Sequence, residues 1–322
     1  MGHRKQHDIP NCYLKAWCDL NCPPEQTPYI WVFEKESRVG KRKAPDNIFH
    51  ETDMYTLWDE EGGRDLVIEG GLSQLEDQFS IIREKKLQQH LELDQAEHFV
   101  LCVFIAAIHA RAKSQLTHLA DQWPQPLKMM NGMAESMKVA TEEQRRTMAN
   151  LSRTRGSKDR KGFALDQVRA MVEAPVGTVL LPMIRAEATY LPNLDFAVFY
   201  TDANPGLITS DSPCVWFDPE AYKRPPLYRV PTLIHETIEI IVPISPALCV
   251  CLNRKGVNGY KYAPADVVRE VNRLIRFNAS EYYVVNQDFV DEFWFDPGVE
   301  PEDSWEKEQA RKDAHNAVKD TD

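Results

Sequence analysis

The sequence predicts an α+β fold, in which a central buried helix and flanking helices pack on a mixed or antiparallel sheet built from N- and C-terminal strands. Strand-like segments gather towards the two ends of the chain, without the regular strand-helix alternation of a doubly wound sheet. The helix-like segment 95–119 is apolar nearly all round between residues 99 and 108, which is typical of a helix in the middle of a core.

The composition narrows the class of protein. The chain has 322 residues, a formal net charge of -11 and 7 Cys. An acidic surface disfavours broad nonspecific binding to nucleic acid. The start lacks the apolar segment of a secretion signal. The longest apolar run is about half the length of a membrane span. The odd number of cysteines is consistent with free thiols. We therefore expect a cytoplasmic protein without membrane contact. Its expected parts are a single large domain over 1–295, with a helical insertion at 122–190, and an acidic polar tail at 296–322.

The first elements follow from residue type. Pro10 keeps the opening extended, and a short helix follows with Tyr13 on one side. Aromatic, β-branched and turn-forming residues predict a strand, a hairpin turn and a returning extended segment at 29–34, 38–41 and 48–57. Apolar residues at helical spacing predict a helix over 73–90, which Ser73 and Glu76 open as a capping box.

The middle of the chain is predicted to be helical. Asp94 and Glu97 form a second capping box, at the start of the central helix 95–119. A polar helix is expected over 128–148 and a basic loop over 145–161. Helical spacing predicts two more helices at 163–173 and 178–188.

The last third changes character. Turns rich in Pro, Gly, Asn and Asp separate short apolar segments, several of which are expected to be buried on both faces. The predicted strands are 194–200, 207–209, 214–217, 237–242, 248–252 and 282–285, with one helix at 265–279.

A charged residue on the central helix is the first candidate for function. Arg111 shares a helix face with Phe104, Ala107 and Ile108, so its charge requires an acidic or phosphate partner. Glu76, between apolar residues of the preceding helix, is the matching carboxylate. Either the two residues meet around a polar pocket, or Glu76 only caps its helix and Arg111 emerges into solvent.

A polar segment after a predicted strand is the second candidate. Ser210 and Asp211 stand where the strand turns into Pro213. Such side chains usually bond to nearby backbone, yet acidic residues at strand ends also face pockets, so Asp211 can hold a metal or orient a base. The cysteine spacing does not match a zinc knuckle. Metal and cofactor therefore stay unknown, and a divalent metal is allowed.

A basic stretch at 145–161 is the third candidate. Its arginines can contact nucleic acid or another polyanion. The alternative is a solvated loop, because the stretch lacks the interleaved aromatic residues that stack on bases.

Short motifs stand in order along the chain: His7-x-x-Pro10-x-x-Tyr13-Leu14, helices carrying Glu76 and Arg111, Thr209-Ser210-Asp211-x-Pro213, and Val242-Pro243-Ile244-Ser245-Pro246. Together they resemble domain-of-unknown-function family 4238 over residues 7–286. The resemblance implies an intracellular protein, mostly of bacteria and fungi, without established activity. It points to His7, Arg111, Ser210 and Asp211. Family members often carry Thr-Pro soon after the arginine, whereas Ala112 and Lys113 follow it in this chain.

Two functions of different classes follow from these residues. The first is a hydrolase for a phosphodiester or nucleic-acid substrate. His7 would act as general base or metal ligand, and Arg111 as a clamp on phosphate. Glu76 and Asp211 would be acidic ligands. The residues expected to bind substrate are Tyr13, Ser210, Arg145, Arg153 and Arg155. The second is a noncatalytic sensor or protein-binding module, for instance in bacterial defence, in which the same residues form a structural network. If the four proposed catalytic residues lie together in one pocket, the hydrolase is favoured over the noncatalytic module.

Overall fold

The structure is a computed structural model that describes residues 5–52, 57–58, 64–65, 67–155, 163–173, 176–298 and 301–311. The helices are α1 (Asn11–Leu14), α2 (Val67–Lys85), α3 (Gln95–Arg111), α4 (Lys113–Gln122), α5 (Pro124–Val139), α6 (Glu142–Arg155), α7 (Leu165–Glu173), α8 (Leu181–Tyr190) and α9 (Ala265–Asn278). The strands are β1 (Lys5–His7), β2 (Ile30–Glu34), β3 (Gly40–Lys43), β4 (His50–Thr52), β5 (Leu57–Trp58), β6 (Arg64–Asp65), β7 (Asp195–Tyr200), β8 (Thr209–Ser210), β9 (Val215–Phe217), β10 (Glu239–Ser245), β11 (Leu248–Asn253), β12 (Gly259–Tyr262) and β13 (Tyr282–Val285).

The predicted central helix is α3. The Asp94 carboxylate accepts the backbone N–H of Glu97 at 2.8 Å, and the Glu97 carboxylate accepts that of Asp94 at 2.9 Å, so the predicted capping box is confirmed. Phe104 of α3 stacks on Phe79 of α2 with ring centroids 3.7 Å apart. Helices α2 and α8 pack against α3, and most of the side chains of α3 are buried. The apolar surface removed from water in this way is the main favourable contribution to the stability of the region.

Two larger sheets frame the core, and the α+β prediction is confirmed. The antiparallel sheet β3-β2-β13-β8 joins strands from both ends of the chain, with Tyr282 paired to Glu34. The mixed sheet β12-β7-β11-β10-β9 is built from the last third alone, because β10 and β11 pair with each other and then with β9 and β7. The single sheet that we expected is thus divided into two.

Both faces of the mixed sheet are buried. On β11, Val250 contributes to the core around α3, whereas Cys249 contributes to a second core. Helix α9 covers this second core with Val268 and Ile275. Burial on both faces explains why the alternation of these strands was weak in the sequence.

Several boundaries differ from their predictions. Helix α2 begins at Val67, before Ser73, so the capping box predicted at Ser73 was wrong; burial of Ile68 and Leu72 outweighs the low helix propensity of the nearby glycines. Helix α3 ends at Arg111, because Ala112 has an extended ψ of 136°. Residues 145–155 are helical within α6, where a loop was expected, and β12 was not predicted. No helix in the described part of the chain is long and apolar enough to cross a membrane.

The loop before β8 requires glycine at position 206. A Cβ atom on Gly206 would lie 2.1 Å from the backbone oxygen of Pro246. That oxygen also accepts the N–H of Leu207 at 2.7 Å, so it cannot withdraw without losing a hydrogen bond. We expect Gly206→Ala to lower the free energy of unfolding by about 2–3 kcal/mol, as overpacking does.

Urea denaturation of Gly206→Ala beside Gly71→Ala tests this expectation. Gly71 lies in α2 with open space around its Cβ direction, so alanine there is expected to stabilise the helix by about 0.5–1 kcal/mol. Equal changes in the free energy of unfolding for the two substitutions would show that the contact with Pro246 does not cause a loss of stability.

Candidate functional site

Glu76 and Arg111 are brought together directly. Arg111 is the last residue of α3 and is 1% exposed. Its Nη1 donates to the Glu76 carboxylate at 2.8 Å and its Nε to the carbonyl of Ala107 at 3.2 Å. The buried Nη2 has no acceptor within the described residues. The Glu76 side chain is 24% exposed, so the pair connects the core around α3 to solvent.

His7 lies near this pair, on β1. Its Nδ1 donates to the carbonyl of Ile48 at 3.2 Å, which places the lone pair of the neutral ring on Nε2. Burial lowers the pKa of His7, while the carbonyl of Ile48 and the carboxylate of Glu76 oppose that shift. The segment after His7 is tied to α2, because Arg83 donates to the carbonyl of Cys12 at 3.0 Å.

The lowered pKa of His7 predicts a pH dependence of stability. When the pKa of a basic group is lower in the folded than in the unfolded state, the unfolded state takes up the proton first as the pH falls. Stability is therefore highest above the unfolded pKa and decreases as the pH falls from the unfolded to the folded pKa. The ordinary value is 6.5, so the loss is expected below that pH. Melting temperatures between about pH 7.5 and about pH 5 should therefore fall less in His7→Gln than in the wild type. Parallel curves would contradict the prediction.

Asp211 binds the backbone that leads into β13. Its Oδ1 accepts the N–H of Ser280 at 2.7 Å, and its Oδ2 accepts those of Glu281 at 2.6 Å and Tyr282 at 3.0 Å. Burial raises the pKa of this carboxyl, and the three N–H donors partly reverse that effect. The carboxylate thus joins the end of β8 to the start of β13.

Two proposed substrate-binding residues are also bonded within the protein. The hydroxyl of Tyr13 donates to the carbonyl of Pro243 at 2.6 Å and lies 2.7 Å from the hydroxyl of Thr209. The Ser210 hydroxyl accepts the N–H of Ser212 at 3.1 Å. Both side chains are buried. Tyr13 joins α1 to one strand of each sheet, and Ser210 joins β8 to the turn that follows it.

The proposed basic stretch lies on α6 and beyond. Arg145 is exposed and donates to the carbonyl of Lys138 at 3.3 Å, which ties α6 to α5. The side chains of Arg153 and Arg155 lie outside the described part of the structure, as do residues 156–162. Contact of this stretch with nucleic acid stays a prediction.

A cavity of about 390 Å³, which we call the polar pocket, lies between the segment that follows β1, the segment that leads into β4, the sheet β3-β2-β13-β8 and the start of α4. Its basic side chains are Lys41, Lys43, His50 and Lys113. Its acidic side chains are Asp8, Glu34, Asp211 and Glu281. Of the four proposed catalytic residues, Asp211 lines this pocket, and His7 lies beside it through its strand pairing with His50. Glu76 and Arg111 are not among the described residues that line it, so the expected convergence of all four residues in one pocket is not found.

Two ion pairs cross the rim of the polar pocket. Lys41 binds Glu34 at 3.0 Å, and Lys113 binds Glu281 at 2.7 Å. The four side chains are between 46% and 64% exposed, so each pair contributes little to stability and can exchange partners with a ligand. The pocket therefore offers lysines that an anionic group can recruit.

One wall residue has an unusual backbone. Phe49 has φ 52°, in the left-handed region that an aromatic residue rarely adopts. Its carbonyl accepts the N–H of Asp8 at 2.9 Å, and its ring packs on Tyr282 with centroids 6.2 Å apart. Strained residues of this kind concentrate at functional sites. This residue thus ties the segment after β1 to the start of β4 in the wall of the pocket.

Sequence reasoning missed Asp8, Lys43, His50 and Lys113. Asp8 follows His7 within the first motif, and Lys113 follows Arg111 closely, so position next to a motif was the available signal. Lys43 and His50 had no such signal, because their place depends on strand pairing. Within the described residues, no group of three or more His, Cys, Asp or Glu is arranged to hold a metal ion.

Comparison with known proteins places the chain in a family. A family model described as "Protein of unknown function (DUF4238)" matches residues 5–288, which is most of the chain. No curated protein and no solved structure matches it.

Proposed function

Because the chain belongs to the DUF4238 family, whose description assigns no activity, a function has to come from its own residues, and we propose that it is a hydrolase for a phosphodiester substrate. The observation that carries the proposal is the polar pocket, which combines three lysines and a histidine with four carboxylates, of which those of Asp8 and Asp211 are nearly buried. Its volume of about 390 Å³ lies in the range of small-molecule sites.

The pocket assigns roles different from those expected from the sequence. Lys43, with the exchangeable Lys41 and Lys113, would bind the phosphate and stabilise charge that develops on its oxygens. Asp8 would take a proton from the attacking water, and His50 would give a proton to the leaving oxygen as its bond to phosphorus breaks.

His7 and the Glu76–Arg111 pair would support the pocket. The ring of His7 meets that of His50 edge to face, with centroids 5.5 Å apart. This contact holds the two rings in a fixed relative orientation. His7 would therefore position His50, and Arg111 would hold α2 against α3 behind it.

An activity assay tests the proposal. We expect slow hydrolysis of bis(p-nitrophenyl) phosphate by the full chain, and a loss of about 10²-fold or more in kcat/KM for His50→Gln, as for removal of a general acid. Lys43→Met should raise KM and also lower kcat, because it removes a charge that binds the phosphate and stabilises the charge that develops on its oxygens. Lys85→Met, at the exposed end of α2 and outside the pocket lining, is the matched control and should retain activity. Activity that survives His50→Gln would refute the assigned role.

A noncatalytic recognition module is the second candidate. The bonds of Asp211 to three backbone N–H groups, and those of Tyr13 to Pro243 and Thr209, support it, because they serve the fold. In that case the polar pocket binds a phosphate-bearing ligand without turnover. Calorimetric titration with a mononucleotide, beside the hydrolysis assay, separates the two: binding that Lys43→Met weakens, without product release, would favour recognition.

A further inference from the structure

A second cavity lies between α9 and the mixed sheet. Its volume is about 130 Å³, and it shares no lining residue with the polar pocket. Val268 and Val271 of α9 form one wall, and Phe199, Ile241, Cys249 and Cys251 form the wall on the sheet. The cavity thus belongs to the second core, where side chains normally fill the space.

The two thiols of the wall are uncharged. Burial raises the pKa of Cys251 to about 12 and that of Cys249 well above its usual range. Both therefore stay protonated at neutral pH and behave as small apolar groups. Cys249 also donates to the carbonyl of Val250, with sulfur and oxygen 3.5 Å apart.

The polar groups at the mouth are already engaged. The amide of Asn253 donates to the carbonyls of Val257 at 2.9 Å and Asp195 at 3.3 Å, and its oxygen accepts the N–H groups of Lys255 and Val257. This uses the two donors and two lone pairs of that side chain. Lys255 and Glu239 neutralise each other at 2.7 Å. A charged ligand would have to break this ion pair or lie unpaired against the apolar wall, so the lining favours an uncharged ligand.

We infer that this cavity is a binding site for a small, uncharged apolar molecule about the size of a benzene ring, since apolar cavities of about 150 Å³ stay dry and bind benzene. The ligand would contact α9 and the mixed sheet at once, and would fill space that the second core leaves open. The inference does not depend on the proposed hydrolase activity, because the two sites have separate walls.

Fluorine NMR of fluorobenzene with the full chain tests the inference. We expect saturable binding that benzene displaces and that benzoate, which is charged, does not. Cys251→Met should weaken binding at least tenfold, because the longer flexible side chain fills the cavity. Cys18→Met, away from the cavity, is the matched control and should bind as the wild type does.

Val271→Leu provides an independent filling variant from the helix side, in case Cys251→Met fails to fold; it too should weaken binding. Circular dichroism reports folding of each variant. Three results would overturn the inference: no saturable signal with the wild type, wild-type affinity in both filling variants, or equal binding of benzoate.

Discussion

Glu76→Ala is expected to lower the free energy of unfolding by about 3–5 kcal/mol, as breaking a buried ion pair from one side does. The substitution leaves the Arg111 guanidinium in the core without its carboxylate. Arg111 cannot move to water, because it is 1% exposed and lies at the end of a helix that is packed on several sides. Urea denaturation of the full chain measures the loss as a lower midpoint at unchanged slope.

A double-mutant cycle identifies the source of that loss. Arg111→Met removes the charge and keeps an unbranched chain in the same space, so we expect it to be less damaging than Glu76→Ala. In the Arg111→Met background, Glu76→Ala should have a small effect, because Glu76 is 24% exposed and its carboxylate then faces no buried charge. Additive effects would mean that the two side chains act independently.

Asp211→Asn is expected to lower the free energy of unfolding by about 3 kcal/mol. Its amide nitrogen cannot accept, so it would leave backbone N–H groups of the turn before β13 without a partner, and each such group costs about 1–3 kcal/mol. Asp121→Asn, on the exposed surface of α4, is the matched control, with an expected change within about 0.5 kcal/mol.

The same variant bears on the proposed function. If Asp211 serves the fold, Asp211→Asn should lose stability in proportion to any loss of hydrolysis. An Asp211→Asn protein with the wild-type melting temperature and no activity would instead place its carboxylate in the chemistry.

Elements with strong local signals were predictable. The capping residues Asp94 and Glu97 located the start of α3, and apolar spacing located α9, because both signals arise from contacts within one or two turns. The strand β12 was missed, since it is largely exposed and lacks apolar alternation; it is held by pairing with β7.

The end of α3 could not be predicted for a related reason. No residue after Arg111 forbids a helix, and apolar spacing continues beyond it. The structure ends the helix at Arg111 while distant residues hold the start of α4: Lys113 binds Glu281, and the hydroxyl of Ser114 lies 3.1 Å from that of Ser212. Contacts so far apart in sequence have no local signature.

The candidate site shows the same division. Helical periodicity, the order of the segments and the order of short motifs were sufficient to predict the α+β class, the buried helix and the family. The single charge on an apolar face named Glu76 as the matching carboxylate of Arg111, but the sequence left open whether the two meet, and the structure decided that they do. Only the folded chain decided that Asp8, His50, Lys113 and Asp211 share one pocket. Their proximity is set by the pairing of β1 with β4 and of β13 with β2, and sheet pairing between distant segments depends on how the whole core packs.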